Sequence, residues 1–494
     1  MKLNIFQIPK EDVAPLLEKF TSVGLRRIHH EKKKEWDTHF FFSKNAQPIP
    51  IPWIATYSDF FPDPKPENKM FYGAYLWIKD EVCLVISYGK THFYLRQFCD
   101  HDFGTEIAKR IADQDDTRQK SSKKFAGRKK KEIKSYAKNS HLDIESGESV
   151  DYLQAAVIKD YKDTFGVSGK FGSSVLLSPD IEKDELPGFL DDLILVLEKP
   201  ELFKLPRTTV LSASSATKSY ENKLIRDIRA ENAEFELNHH ELVGTDFVFT
   251  GQEKYSYSYH GRNSDVFDLL LMRDVNAFVD AYSIPNEEIL NIKVHVSRED
   301  ARSYAKPLRE AIDYVVDEKN VLLTRGTWMH FNEDYIDQLD EYIDAIDIEE
   351  VEDRFRVVTN SEGDFNKSLE SHGFEVADKN FSKIKVKSGT QIEAWDLKKG
   401  DCVYAVKRGT TQDFGYVLDQ ASNTLILINK KANIKKLDSN FKSYCVWLIF
   451  KRKSMPPKLS EIKSIIFKQK LEAWARLSWE FGITPKVSMS VIGE

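Results

Sequence analysis

The stretch "IEAWDLKKGDCVYAVKRG", residues 392–409, sets an acid near the end of one apparent strand and a Lys-Arg pair at the end of the next. Strand side chains alternate, so Ile392, Ala394 and Asp396 would share one face, with Glu393, Trp395 and Leu397 on the other. Lys-Lys-Gly-Asp at 398–401 reads as a turn and 402–407 as the returning strand. Asp396 and Lys407 would then converge across the turn. Hydrolysing a phosphodiester needs a divalent ion to orient water and neutralise developing charge, and carboxylates hold that ion. In this reading Asp396 and Glu393 hold magnesium or manganese, and Asp396, Glu393 and Lys407 form the catalytic set. Arg408 would hold a phosphate through its planar fork. The same residues also make a charged hairpin with no catalytic role, because ideal alternation places Glu393 opposite Asp396.

An acid on one strand followed by acid-x-Lys on the next resembles the metal corner of restriction-endonuclease-like enzymes. Here the second strand reads Ala405-Val406-Lys407, and alanine cannot ligand a metal. Upstream, Asp378 is a further candidate ligand. Around this hairpin the sequence predicts short strands at 381–387, 391–397, 402–407, 424–429 and 445–450. A helix is expected around 460–481, where Ile462, Ile466, Trp474, Leu477 and Phe481 form an apolar seam and Gly482 gives a stop. The acidic segment at 333–350 reads as a solvated helix or one side of an internal contact.

Further out, the first hundred residues are strand-rich. "HFFFSK", "FYGAYLWI", "VCLVISYG" and "HFYLRQF" mix aromatic and branched residues between turn signals. In "KSSKKFAGRKKKEIKSYAK", residues 120–138, nine Lys or Arg face one Glu. Such a run repels itself unless it meets solvent or an anion. It reads as an exposed connector whose Lys123, Lys124, Arg128, Lys129, Lys130 and Lys131 contact nucleic acid, with Phe125 and Tyr136 available for stacking. "LPGFLDDLILVLEKPELF", residues 186–203, has a helical pattern bounded by Pro200. The histidines of "NHHE", 238–241, lack the i,i+4 spacing of a zinc helix and read as surface or packing residues. In "SYSYHGRNSD", 256–265, Tyr257, Tyr259 and His260 are candidates to line a cleft.

No GxxxxGK[ST] loop is present, "GVSGKFGSS" at 166–174 lacks a dinucleotide context, and there is no GxSxG elbow. No nucleotide or organic cofactor is therefore expected. The 494 residues carry a net charge of −6, with 41% hydrophobic and 30% charged residues, which excludes an extensively basic or a disordered protein. The 4 cysteines form no CxxC pair and read as buried thiols. Without a secretory or membrane-spanning apolar run, a cytoplasmic protein with no membrane partner is expected. The fold class is α+β and multidomain, with mixed or antiparallel sheets and packed helices, the C-terminal part restriction-endonuclease-like. The expected divisions are a strand-rich domain at 1–115, a basic connector at 116–145, a mixed α/β domain at 146–290 and an α+β domain at 291–494.

Four phrases in order, "PIPWI" near 50, "ISYGKTHFYLRQFCDHDFGTEIAKRIA" at 86–112, "RGTWMHFNEDYIDQL" at 325–339 and "IEAWDL…VYAVKRG" at 392–409, carry a resemblance across most of the chain. They resemble the "sporadically distributed" bacterial family of unknown function. Pro52 and Trp53 match its first element, Tyr88 and Gly89 its aromatic-Gly turn, and Phe103 and Gly104 its Phe-Gly. Gly326, Trp328, Asp334 and Tyr335 match the third element, and Glu393, Asp396, Leu397, Val406, Lys407 and Arg408 the last. Family members often have His two places before that lysine, where this chain has Ala405. The resemblance implies mobile-element or phage-defence biology, with a phage-derived protein as a candidate trigger. The leading expectation is a nucleic-acid-binding protein, DNA ahead of RNA. The alternatives are a metal-dependent nuclease and a noncatalytic interaction or scaffold protein, for which the aromatic N-terminal region offers a homo-oligomer interface.

Overall fold

The computed structural model describes residues 1–43, 45, 47–62, 66–124, 131–211, 215–230, 235–237, 254–267, 272–297, 304–324, 326–376, 383–385, 391–393, 395–429, 441–452 and 454–493. The chain divides into two units, the first built from Met1–Lys123, Lys131–Ile144 and Ser149–Thr209, the second chiefly from Val210–Glu494. It is a multidomain α+β protein, with an antiparallel sheet in the first unit and a mixed sheet in the second.

In the first unit LNIFQI alternates apolar residues and forms β1 (Leu3–Ile8), with Leu3 and Ile5 in one core and Phe6 and Ile8 in another. Around it stand β2 (Leu25–Lys33), β3 (Trp36–Ser43), β4 (Gly73–Lys79) and β5 (Val82–Tyr88). Helix α1 (Phe103–Ile111) leads into β6 (Ala112–Lys124), and β7 (Lys131–Ser140), β8 (Glu148–Val157), β9 (Ser168–Phe171) and β10 (Val175–Leu177) follow. The sheet order is β2-β3-β4-β5-β1-β10-β9-β8-β6-β7, ten strands in all. Helix α2 (Leu186–Leu197) begins with Pro187 in its first turn, ends before Pro200, and packs Phe189, Leu190 and Leu193 into the β1 core.

The flanks of the basic run are thus paired strands, Ser121 of β6 opposite Ile133 of β7, where the sequence suggested a connector. Along β6 Lys120 is completely buried, together with Ser121 and Ser122, while its neighbour Gln119 is half-buried. Gly104 explains the Phe-Gly phrase, since a Cβ there would lie 2.3 Å from the Ser174 carbonyl oxygen. Only glycine lets α1 rest against that backbone.

The second unit includes the hairpin Lys254–Tyr259 and Arg262–Asn263, turned by His260 and Gly261, both at positive φ. Tyr257, read as a cleft residue, is fully buried in the core there. Strands β11 (Ile312–Val316), β12 (Val321–Thr324) and β13 (Thr327–Phe331) form an antiparallel ladder. The acidic segment forms α3 (Glu333–Asp344), capped by the Asn332 side chain, and buries Tyr335, Leu339 and Ile343. After α4 (Glu362–Ser368) comes the hairpin β14 (Leu397–Lys399) and β15 (Cys402–Gly409). Next are α5 (Thr411–Asn429), β16 (Ser443–Phe450), α6 (Ile465–Glu480) and β17 (Thr484–Ile492).

β15, β16 and β17 are parallel neighbours, so each pair needs a crossover, supplied by α5 and then α6. The expected strand at 424–429 is the last part of α5 instead. Its apolar residues Phe414, Val417, Leu418, Ala421 and Leu425 recur at helical spacing and are all buried. Along β15, Val403 and Ala405 enter the core shared with α3, α5 and α6. Cys402, Tyr404 and Val406 enter a second core with Phe355, Phe365, Leu369 and Phe374. The sheet is covered on both faces, which is why its central strands read as continuous apolar runs. The seam residues Ile466 and Trp474 are buried in α6, and Gly482 follows the helix at φ 72°.

Candidate functional site

The opening stretch breaks into two pieces. Gln391–Glu393 pairs with Lys383–Lys385, and β14 begins only at Leu397. Trp395 is the cause, buried against Phe441 with ring centroids 5.4 Å apart, so strand alternation does not run through from 392 to 397. Asp396 is engaged with backbone: its amide donates to the Tyr404 carbonyl at 2.8 Å, and its Oδ2 accepts from the Val406 amide at 2.7 Å. Glu393 lies on the separate Gln391–Glu393 strand, opposite Lys383. Asp378 lies outside the described residues. Ala405, the departure from an acid-x-Lys pattern, is a core position opposite Val446 and 5% exposed. A carboxylate there would be buried among apolar side chains, at high desolvation cost.

Lys407 and Arg408 meet a carboxylate the sequence did not single out. Glu362, in the first turn of α4, has Oε1 3.5 Å from Lys407 Nζ, while its Oε2 accepts from the Arg408 amide at 2.9 Å. Glu362 stands 46 residues from Arg408 along the chain, and no motif spacing connects them. The Nε of Arg408 is buried with no hydrogen-bond partner among the described residues.

Parallel register sets the next strand end beside this one. Gly409 is opposite Phe450, and the Lys451 amide donates to the Gly409 carbonyl at 3.1 Å. Lys451 and Arg452 therefore follow β16 where Lys407 and Arg408 close β15. The Arg452 guanidinium lies 4.5 Å from the Phe450 ring centroid. Thr410 begins α5 by donating from its amide to Asp413 Oδ2 at 2.8 Å. Four cationic side chains, Lys407, Arg408, Lys451 and Arg452, and two carboxylates, Glu362 and Asp413, thus mark the carboxyl ends of two adjacent parallel strands.

The basic hairpin β6–β7 differs in character. Lys123 Nζ is 3.1 Å from Asp151, Lys124 is 2.5 Å from Glu145, and Lys134 is 2.9 Å from Asp143. Buried Lys120 donates to the Asp143 carbonyl oxygen, and Tyr136 donates to its carboxylate, so Tyr136 is engaged within the protein. Desolvation pushes the Asp143 carboxyl up, but the Tyr136 and Lys134 hydrogen bonds and the Lys120 charge bring it to about 2. Phe125, Arg128, Lys129 and Lys130 and the "NHHE" histidines lie outside the described residues; for Lys131 the backbone is placed, at the start of β7. A cavity of about 440 Å³ in the first unit is lined by Phe40, Tyr75, Tyr88, His29 and Lys183.

Fold and site together define a multidomain α+β protein whose second unit presents cations at the carboxyl ends of parallel strands. The chain belongs to a family of unknown function, DUF6119, whose model matches residues 10–444. No curated protein and no solved structure matches it. Among the described residues no helix is long and apolar enough to cross a membrane.

Proposed function

We propose that this chain is a nucleic-acid-binding protein that grips backbone phosphate at the carboxyl ends of β15 and β16. The observation that carries this reading is Arg408, whose buried Nε has no hydrogen-bond partner among the described residues, beside Lys407 and close to Lys451 and Arg452 in the sheet register. A buried donor left unpaired costs free energy, and an anionic oxygen is the partner that a guanidinium takes best. DNA is favoured over RNA as the polymer. A role in bacterial anti-phage defence, with a phage-derived protein as trigger, rests on the family resemblance alone.

The test is binding of duplex and single-stranded DNA and RNA across a salt series. Wild-type affinity should fall steeply with salt, and Arg408→Ala should weaken binding across sequences while reducing the salt slope by about 1. Folded protein that binds no nucleic acid at low salt would sink this reading.

A metal-dependent nuclease is the second reading, favoured by one contact: Glu362 sets a carboxylate beside Lys407. Magnesium or manganese would be held by Asp396 with Glu393 or Glu362, and Lys407 would stabilise the phosphorane. Cleavage of DNA or RNA by wild type with either metal, abolished in Glu362→Gln while binding persists, is the expected result for an enzyme. Cleavage unchanged by Glu362→Gln and by Asp396→Ala would place activity elsewhere.

A further inference from the structure

Away from the strand ends, the hairpin β2–β3 brings together three metal-binding side chains from a stretch with no recognisable ligand spacing. Asp37 and His39 are two residues apart on β3, and therefore on one face of the sheet. His30 on β2 is the direct cross-strand partner of His39. A register shift between Arg27 and His29 sets that pairing. The two imidazoles lie parallel, 6° apart in plane, with centroids separated by 4.4 Å. Both present Nε2 to one carboxylate: His30 Nε2 is 2.6 Å from Asp37 Oδ1, and His39 Nε2 is 3.2 Å from Asp37 Oδ2. All the ligand atoms fall within 4.8 Å of one another.

Metal–ligand bonds of about 2.0–2.1 Å at tetrahedral angles put donor atoms about 3.3 Å apart. The three groups come close to that triangle, and His30 is exposed enough to close it by side-chain rotation. A metal ligand must be a neutral imidazole. Two imidazoles and one carboxylate suit zinc and its first-row neighbours better than magnesium or calcium. Three protein ligands leave a fourth position for water, which is the open arrangement of reactive zinc centres.

We propose that the β2–β3 hairpin binds one divalent transition-metal ion, of the zinc class, through His30 Nε2, His39 Nε2 and the Asp37 carboxylate. Arg27 supplies an internal check on this geometry. Its Nη1 lies 3.4 Å from His39 Nδ1, and a guanidinium only donates, so Nδ1 acts as acceptor and Nε2 carries the proton. A metal on Nε2 moves the ring proton to Nδ1, where Arg27 can no longer donate. Binding therefore displaces the exposed Arg27 side chain, and removing that side chain should tighten binding.

The experiment titrates Zn²⁺, and Co²⁺ as a visible reporter, into chelator-treated, untagged full-length protein by calorimetry and absorption. One equivalent should bind to wild type. His39→Ala and His30→Gln should each weaken binding by at least about 100-fold, since even groups that only orient a ligand are worth about 10–100-fold. Arg27→Ala should tighten it about fivefold through loss of a nearby unit charge. His92→Ala, at a half-buried histidine elsewhere, should bind as wild type does. Circular dichroism of the metal-free variants confirms that each is folded. Absence of zinc binding by wild type, or an affinity unchanged in both His30→Gln and His39→Ala, overturns the assignment.

Discussion

Asp396 shows how a residue read for catalysis can be held by its backbone. Its carboxylate accepts from the Val406 amide at 2.7 Å, fixing the entry of the chain into β14. A partly buried amide left without an acceptor costs about 1–3 kcal/mol, so Asp396→Ala should lose about that much stability in urea denaturation, whatever it does to cleavage. A variant as stable as wild type would show that the contact is dispensable. Little of this was legible in the sequence. Alternation placed Asp396 on a strand face, whereas Trp395 turns into the core and breaks the strand before it. Glu362 beside Lys407, and His30 opposite His39, are pairings of tertiary contact and strand register, and neither has a linear signature. The phrases that carried the family resemblance behave differently: Phe103, Trp328 and Tyr335 are core residues, while Trp53 remains exposed. Their order in the chain marks a fold more than a site.

At the scale of elements, hydrophobic period was the most dependable signal and was misread where two periods overlap. "NTLILIN" taken alone is a short apolar run, and as such favours neither a strand nor a helix end. Extending the window back to Phe414 restores the i, i+3, i+4 pattern that buries Val417, Leu418, Ala421 and Leu425. Parallel pairing of β15 with β16 then demands a helix there. The basic run was misread for a related reason: charge suggested solvent, but its described flanks pair as strands, Lys120 is buried between them and acids meet the cations. This hairpin makes a definite pH prediction. The folded carboxyl of Asp143 is held at about 2, below its ordinary 3.8. A depressed carboxyl contributes stability that is present above its unfolded value and is lost as pH falls through about 2. Asp143 is 52% exposed, so screening limits the effect to about 1 kcal/mol. Asp143→Asn should therefore be less stable than wild type near neutral pH, and the gap should close on acidification. A gap that stays constant down to the acid limit would show that the ion pairs contribute nothing.

For the whole molecule, the division into units separates two basic features and so allows the proposed nucleic-acid binding to be tested on each. Buried apolar clusters of the first unit draw on residues between Leu3 and Leu205, and those of the second on residues between Leu224 and Val491. A segment with its own core and a length inside the ordinary domain range of about 50–250 residues is expected to fold alone. Residues 1–209 should therefore give a soluble, strand-rich protein with a cooperative urea transition. That fragment keeps the hairpin β6–β7 and lacks Lys407, Arg408, Lys451 and Arg452. Of its described hairpin lysines, Lys120, Lys123, Lys124 and Lys134 already face Asp143, Asp151 and Glu145 while Lys138 is exposed, so few of those charges are left to displace counterions from a phosphate backbone. The folded fragment should accordingly lose most of the affinity and of the salt slope expected of the full chain under the proposed phosphate grip. A fragment that kept the full slope would move the interface to the hairpin and its tip. A fragment that failed to fold would show that the first core depends on the rest of the chain.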